Sequence, residues 1–147
     1  MLFGLFSLLS SCTPAIDVLP VRIVEYHGAQ TTIGLVDFVK QQAPAPHQAI
    51  VYFYADWCGP CRRFRESLTS KPVADAMQQA TLVKINVDNY QELVAEYGIK
   101  AIPAFVKLDA QGVVVASISS DKWGEDTPEN IAPVMRNLVV GHRFDAH

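Results

Sequence analysis

The apolar residues in the first part of the chain recur with the periods of strands and helices. Residues 21–26 alternate between apolar and polar side chains, which predicts a first strand. Residues 33–39 place their apolar side chains on one face of a helix, and Pro44 and Pro46 are expected to end it. The run 49–55 is continuously apolar, as in a central strand that is covered on both faces. The pattern therefore predicts strand, helix and strand in this order.

The remaining pattern predicts helices and strands in alternation up to a final helix. Thr127 and Pro128 form a helix start, an N-cap followed by proline, and Pro133 is expected to bend or delay that helix. Asp88 or Asn89 is expected to cap an earlier helix. The predicted elements are a helical stretch at 62–68, a short helical turn at 72–77, a strand at 81–87, a helix closed by Gly98, a hairpin of strands at 105–108 and 113–118, and a helix from 128 to about 140.

Length and composition allow one domain. The chain has 147 residues, of which 50% are hydrophobic, enough for a single core of ordinary size. The net charge is -3 and the basic residues cluster only at Arg62, Arg63 and Arg65, so no nucleic-acid partner is expected, because such a partner needs a basic face. The chain contains no G-x-G-x-x-G motif, so no flavin or nicotinamide cofactor is expected.

The N-terminal segment predicts a location outside the cytoplasm. Residues 1–11 are apolar and uncharged, too short a run to span a membrane, and they resemble a secretory signal. Residues 9–12 (LSSC) also resemble the lipobox of bacterial lipoproteins, in which the cysteine is lipidated. We therefore expect residues 1–12 to be a signal and lipobox segment with Cys12 as the lipid attachment site, followed by a tether at 13–20. The alternatives are a signal without lipid and a buried structural segment.

The strongest chemical signal is the pentapeptide Trp57-Cys58-Gly59-Pro60-Cys61, which follows an apolar strand and opens a helical stretch. A sulfur at a helix N-terminus meets unpaired N–H groups and the positive end of the helix dipole, so Cys58 is the expected nucleophile. Cys61 lies one turn along, close enough to attack a mixed disulfide formed by Cys58. The spacing is also that of half a zinc site, but the four histidines show no ligand spacing with the cysteines, so no metal is expected.

Arg62, Arg63 and Arg65 place positive charge close to this dithiol along the chain. Together with the helix dipole, they are expected to hold the pKa of Cys58 below that of a free thiol. The alternative is that two of the three arginines only solvate an exposed helix face, because distance and screening decide how much of the field reaches the sulfur.

Three motifs in this order resemble the thioredoxin family. They are residues 55–61 (ADWCGPC), 83–88 (VKINVD) and 97–103 (YGIKAIP). The resemblance covers about residues 21–141 and leaves 142–147 as a C-terminal tail. It implies an α/β thioredoxin fold, with a central mixed sheet of about five strands flanked by helices on both faces.

The resemblance also implies roles for individual residues. Cys58 would be the attacking thiolate and Cys61 the more buried, resolving thiol. Pro103 would be a cis-proline that places the backbone of Ile102 beside the dithiol, where it can pair with an extended substrate segment; the alternative is an ordinary turn proline. Trp57 would cover the rim of the active site, and the alternative is a plain core aromatic.

The chain departs from the commonest family pattern below the dithiol. Tyr52 stands where the family usually has a buried aspartate, which is thought to assist deprotonation of the resolving thiol. Lys84 occupies the place of the customary partner of that aspartate, and Asp56 and Lys84 are both expected to support the active site. Lys84 would then pair with Glu66, with Asp56 or only with water. The alternative is that Lys84 is a solvated charge at a strand end.

The combined signals predict an extracytoplasmic, periplasmic thiol:disulfide oxidoreductase that is lipid-anchored to a membrane and reduces disulfides in protein substrates. Gly59 and Pro60 between the cysteines resemble reducing family members. Glu66 and residues 70–73 (SKPV) resemble the thioredoxin-like domains of bacterial membrane thiol transporters, so such a transporter is the expected electron donor. The redox-active disulfide itself is the only redox group expected. The alternatives are a disulfide oxidase or isomerase, and a binding module or chaperone with an incidental dithiol.

Overall fold

The computed structural model describes residues 21–43 and 46–141, and within them five strands and five α-helices. The predicted order of elements is confirmed, with one short 3-10 helix, Ser120–Lys122, that the pattern did not predict. The strands are β1 (Arg22–Glu25), β2 (Gln48–Tyr54), β3 (Ala80–Asn86), β4 (Ala104–Leu108) and β5 (Val114–Ser119), and the helices are α1 (Thr32–Gln42), α2 (Gly59–Ser67), α3 (Lys71–Met77), α4 (Gln91–Glu96) and α5 (Pro128–Val140).

The strands form one mixed sheet in the order β1-β3-β2-β4-β5, which confirms the predicted architecture. Strands β1, β3 and β2 are parallel, whereas β4 runs antiparallel to β2 and β5 antiparallel to β4. Strand β2 lies in the centre, and its residues from Ala49 to Tyr54 are all buried. This position explains its continuous apolar run, since a central strand is covered on both faces.

Helices cover both faces of the sheet and bury an apolar cluster on each. On one face Tyr52 and Phe105 pack with residues of α2, α3 and α5. On the other face Phe53 and Val106 pack with residues of α1 and α4. Alternate residues of β2 therefore enter different clusters, as the two-residue repeat of a strand requires. The dithiol belongs to the first face.

Local signals explain most of the helix starts, and three expectations about helices are corrected. Helix α1 begins where the Thr31 side chain accepts a hydrogen bond from the Gly34 N–H at 3.1 Å.

Helix α4 is not capped by Asp88 or Asn89: its N-cap residue is Tyr90, and the Asp88 carboxylate instead accepts from Trp57. The other two corrections are that residues 71–77 form a complete short helix rather than a turn, and that α5 starts at Pro128 and continues through Pro133 without delay.

Several sequence predictions lie outside the described residues. These are the signal and lipobox segment with Cys12, the tether at 13–20, the tail at 142–147 and the role of Pro44. Among the residues that the structure does describe, no helix has both the length and the apolar character needed to cross a membrane.

Candidate active site

The two cysteines lie where β2 ends and α2 begins, and they form a disulfide with their Cα atoms 5.2 Å apart. Cys58 is the N-cap residue of α2, and its Sγ accepts a hydrogen bond from the Cys61 N–H at 3.1 Å. Because an N–H donor stabilises a negative sulfur, this position favours a thiolate at Cys58 in the reduced protein. Cys58 is 4% exposed and Cys61 is completely buried, so Cys58 is the sulfur nearer to solvent.

The backbone before Pro103 lies directly beside the dithiol. The Ile102–Pro103 peptide bond is cis, and the Ile102 carbonyl oxygen lies 3.8 Å from Cys58 Sγ. Strand β4 begins one residue after Pro103, and Ala101, on the other side, is exposed. The backbone at residues 101–102 is therefore placed beside Cys58 and next to an exposed residue.

Trp57 is the most exposed aromatic feature of this region. Its side chain is 70% exposed, and its Nε1 donates to Asp88 at 3.0 Å (Oδ2) and 3.4 Å (Oδ1). The alternative of a core aromatic is therefore wrong. The neighbouring Asp56 is also exposed and accepts a hydrogen bond from Asn86 Nδ2 at 3.4 Å. These two bonds link the loop before the dithiol to the end of β3 and to the turn that follows it.

Lys84 contacts an aromatic ring rather than a carboxylate. Its Nζ lies 4.4 Å from the centroid of the Tyr54 ring, a cation–π distance. Within the described part of the chain Lys84 forms no ion pair, so of the alternatives that the sequence left open, pairing with Glu66 and pairing with Asp56 are both excluded. The family's aspartate position is filled by Tyr52, a residue from the same face of the sheet, and no local signal in the sequence marks Tyr54 as the partner of Lys84.

Tyr52 lies beneath the dithiol and bonds to its helix. Its ring is 1% exposed, and its Oη donates to the Cys61 carbonyl oxygen at 3.2 Å. Burial raises the pKa of Tyr52 to about 12, and the nearby Arg65 guanidinium only partly opposes this effect. The Tyr52 hydroxyl is therefore neutral at physiological pH and acts as a hydrogen-bond donor to α2.

The three arginines of α2 occupy different surroundings. Arg63 pairs with Asp126, with Nε and Nη2 each 2.8 Å from Oδ2, and Asp126 Oδ1 accepts from Trp123 Nε1 at 2.8 Å. The Arg65 guanidinium carbon lies 5.6 Å from the Tyr54 ring centroid, whereas Arg62 is exposed. The arginines therefore do not act as one charge cluster on Cys58.

Sequence reasoning missed Asp126 and Trp123, because no motif or periodic signal marks the segment before α5. Asp126 connects α2 to that segment, and Trp123 stacks on Phe64 with ring centroids 6.1 Å apart. Across the described residues, no group of three or more histidine, cysteine, aspartate or glutamate side chains is close enough together to hold a metal ion.

Comparison with known proteins identifies the family. The family model described as Thioredoxin matches residues 31–135. Thioredoxin-1 of Drosophila yakuba is 37% identical over 75 residues, which are 50% of this chain and 69% of that protein. The thioredoxin of Streptomyces clavuligerus is 34% identical over 86 residues, 58% of this chain and 74% of that protein. The structure of a mutant thioredoxin from Halobacterium salinarum NRC-1 has a TM-score of 0.58 and 23% identity, and the match covers 87% of this chain and 96% of that one.

The chain belongs to the thioredoxin family, and its fold is the thioredoxin fold. The Cys58–Cys61 pair is its redox-active disulfide, and the protein is a thiol:disulfide oxidoreductase. Members of this family exchange disulfides with protein substrates through such a pair and need no further cofactor for that step.

Proposed function

We propose that this protein reduces disulfides in proteins outside the cytoplasm. The observation that carries the exchange with a protein substrate is the backbone of Ile102 beside Cys58, 3.8 Å from its sulfur, which offers an extended polypeptide a place next to the nucleophile. The location outside the cytoplasm is supported only by the signal-like residues 1–11. The Cys58 thiolate attacks a substrate disulfide and forms a mixed disulfide. Cys61 then attacks Cys58 and releases the substrate as a thiol. Gly59 and Pro60, which resemble the dipeptide of reducing family members, favour this direction.

The reduction potential tests the direction. We expect a value close to that of thioredoxin, about -270 mV, when the protein is equilibrated with glutathione buffers and its thiols are quantified. A value near that of a strong oxidant, about -120 mV, would contradict the reductase and support a disulfide oxidase. To separate an isomerase from the reductase and the oxidase, the recovery of native substrate is measured once with a scrambled and once with a reduced protein substrate as the starting material.

A trapping experiment tests turnover through Cys58. In Cys61→Ser the mixed disulfide cannot be resolved, so protein partners should remain attached to Cys58 and be released by dithiothreitol. The double variant Cys58→Ser, Cys61→Ser is the matched control, because it keeps the fold but lacks both thiols. If Cys61→Ser captures no more protein than the double variant, the alternative of a binding module or chaperone is favoured.

We propose further that Cys12 carries a lipid anchor and that a membrane thiol transporter returns electrons to the Cys58–Cys61 disulfide. The proposal is supported by residues 9–12 and by the resemblance of Glu66 and residues 70–73 to transporter-linked domains. Cys12→Ala should move the protein from the membrane to the soluble fraction, whereas Ser11→Ala, which keeps the cysteine, should not. Unchanged membrane association of Cys12→Ala would contradict lipidation.

A further inference from the structure

We propose that Arg65 promotes the second step of disulfide exchange by stabilising the thiolate of Cys61 with its charge, while Tyr52 holds that cysteine in place. Cys61 is completely buried, and burial in apolar surroundings disfavours a thiolate. The resolving cysteine must nevertheless lose its proton before it can attack. The site therefore needs either a proton acceptor or a compensating positive charge.

Among the described residues no carboxylate forms a hydrogen bond with Cys61. Tyr52 has its hydroxyl directed at the Cys61 carbonyl and is a donor there, not a base. The carboxylates of the surrounding elements either bond elsewhere or lie in solvent: Glu25 accepts from Tyr54 at 3.0 Å, Asp56 from Asn86, Asp88 from Trp57 and Asp126 from Arg63 and Trp123, and Glu66 is exposed.

Arg65 supplies the positive charge. It is four residues beyond Cys61 on α2, and side chains at this spacing share a helix face with their Cβ atoms about 6 Å apart. Its Nη1 is buried and has no hydrogen-bond partner among the described residues, and no carboxylate there forms an ion pair with it. Because an arginine remains charged at any physiological pH, a cation without an ion-pair partner among the described residues lies on the face of α2 that carries Cys61.

A second cation shares the aromatic ring that Arg65 contacts. Lys84 Nζ lies 4.4 Å and the Arg65 guanidinium carbon 5.6 Å from the centroid of the Tyr54 ring, and the Tyr52 ring stacks on that of Tyr54 at 5.5 Å. The cation–π contacts leave both charges intact. The Glu25 carboxylate, which accepts from the Tyr54 hydroxyl and is in register with Lys84, offsets part of the charge of Lys84, so the effect on Cys61 is assigned to Arg65, which shares its helix face.

The chemical step is balanced without a further reagent. Cys61 loses its proton to solvent water, its thiolate attacks Cys58 Sγ, and the bond between Cys58 and the substrate sulfur breaks. The electron pair of that bond leaves with the substrate sulfur, which takes up a proton. The inference rests on the proposed function, since this step releases a reduced substrate, but the pKa of Cys61 can be measured whatever the reduction potential and location of the protein are.

The test is the pKa of Cys61 in reduced protein that carries Cys58→Ser and Cys12→Ala, so that one thiol remains. The rate of alkylation by iodoacetamide is measured from pH 5 to 10, without and with Arg65→Gln. We expect Arg65→Gln to raise the pKa of Cys61 by about 0.5 to 1 unit. Arg62→Gln, which removes the same charge from an exposed position of the same helix, should have a clearly smaller effect.

Two further variants separate charge from packing. Arg65→Lys keeps the charge and should restore most of the original pKa. Tyr52→Phe should leave the pKa of Cys61 nearly unchanged but slow release from a mixed disulfide at every pH, because it removes only the bond to the Cys61 carbonyl. If Arg65→Gln does not fold, Arg65→Met, which keeps an apolar stem on Tyr54, gives the same comparison. Equal pKa values in the Arg65 and Arg62 variants would overturn the proposal.

Discussion

Tyr52 couples the stability of the protein to alkaline pH. Burial raises the pKa of its hydroxyl to about 12, whereas an unfolded tyrosine titrates near pH 10. Because the folded state holds this proton more tightly, the contribution of Tyr52 is fully present below about pH 10 and is lost as the pH rises to about 12. One pKa unit corresponds to about 1.4 kcal/mol, so the loss is about 2 to 3 kcal/mol.

The variant Tyr52→Phe tests this linkage. It removes one titrating group and leaves Tyr54, whose pKa burial also raises to about 12. We expect the free energy of unfolding of the oxidised protein, measured by urea denaturation, to fall less steeply above pH 10 in the variant. At pH 7 the variant should be less stable by about 1 kcal/mol, because the hydrogen bond to Cys61 is lost. The same alkaline loss in both proteins would contradict the assignment.

Residue-scale chemistry was predictable from the sequence only where neighbours along the chain decide it. The spacing of Cys58 and Cys61 at a strand-to-helix junction is local, so the disulfide could be predicted. The partner of Lys84 could not, because it depends on which side chain of β2 lies across the sheet, and the structure provides the Tyr54 ring. The bond between Arg63 and Asp126 joins residues 63 positions apart, a distance over which no periodic pattern carries information.

At the scale of elements, Pro133 weakens the helix that contains it. Proline has no N–H, so within α5 the carbonyl of Glu129 loses its usual donor. Pro133 is exposed, so replacement by alanine should restore the backbone bond without disturbing the core. We expect Pro133→Ala to raise the free energy of unfolding by about 1 to 3 kcal/mol, measured by urea denaturation. The exposed Arg136→Ala on the same helix is the control, and an unchanged or lower stability of Pro133→Ala would contradict the prediction.

Lys107 stabilises the other end of the same helix. This buried lysine of β4 donates from Nζ to the carbonyl oxygens of Val139 at 2.8 Å and Gly141 at 3.0 Å, where α5 leaves its last carbonyls without helical partners. We expect Lys107→Met to lower the free energy of unfolding by about 1.5 to 3 kcal/mol, measured by urea denaturation. The exposed Lys100→Met is the matched control. Equal stability of the two variants would show that Lys107 does not cap the helix.

Elements were predictable because their signals lie within a few residues of each boundary. The threonine before α1 and the proline at the start of α5 are examples of such signals. The same reasoning predicted the wrong N-cap for α4. Asp88 has a suitable side chain for a cap, but its carboxylate accepts a hydrogen bond from Trp57 instead. The side chain of a cap residue can accept a hydrogen bond from any donor within reach, and only the folded structure shows which donor it bonds to.

At the scale of the whole molecule, one sheet separates two apolar clusters and connects them. Phe53 and Val106 enter one cluster while Tyr52 and Phe105 enter the other, so each central strand contributes to both. The sequence predicted a covered central strand but not which helices cover which face, because that choice depends on the handedness of the connections. The shared strands imply that neither cluster can unfold while the other remains intact.

Phe105 is one of the buried side chains that join the sheet to the active-site helix, and it provides the test of this cooperativity. It is completely buried, with its ring centroid 5.1 Å from Tyr52, 4.7 Å from Phe64 and 5.8 Å from Trp123. We expect Phe105→Ala to lower the free energy of unfolding by about 3 to 5 kcal/mol, through lost burial and the cavity left behind. The exposed Val113→Ala should change it by less than about 0.5 kcal/mol.

Urea unfolding of Phe105→Ala should be followed by two signals. Tryptophan fluorescence, measured in a Trp57→Phe background so that only Trp123 contributes, reports the face that contains Phe105, whereas far-ultraviolet circular dichroism reports helices on both faces. Because both clusters depend on β2 and β4, the two transitions should coincide and move together to lower urea concentration. Since single domains are stable by only about 5 to 15 kcal/mol, the loss would amount to between about a fifth and the whole of the stability. Separate transitions would show that the face carrying the dithiol unfolds on its own, and the sheet would then not couple the two clusters.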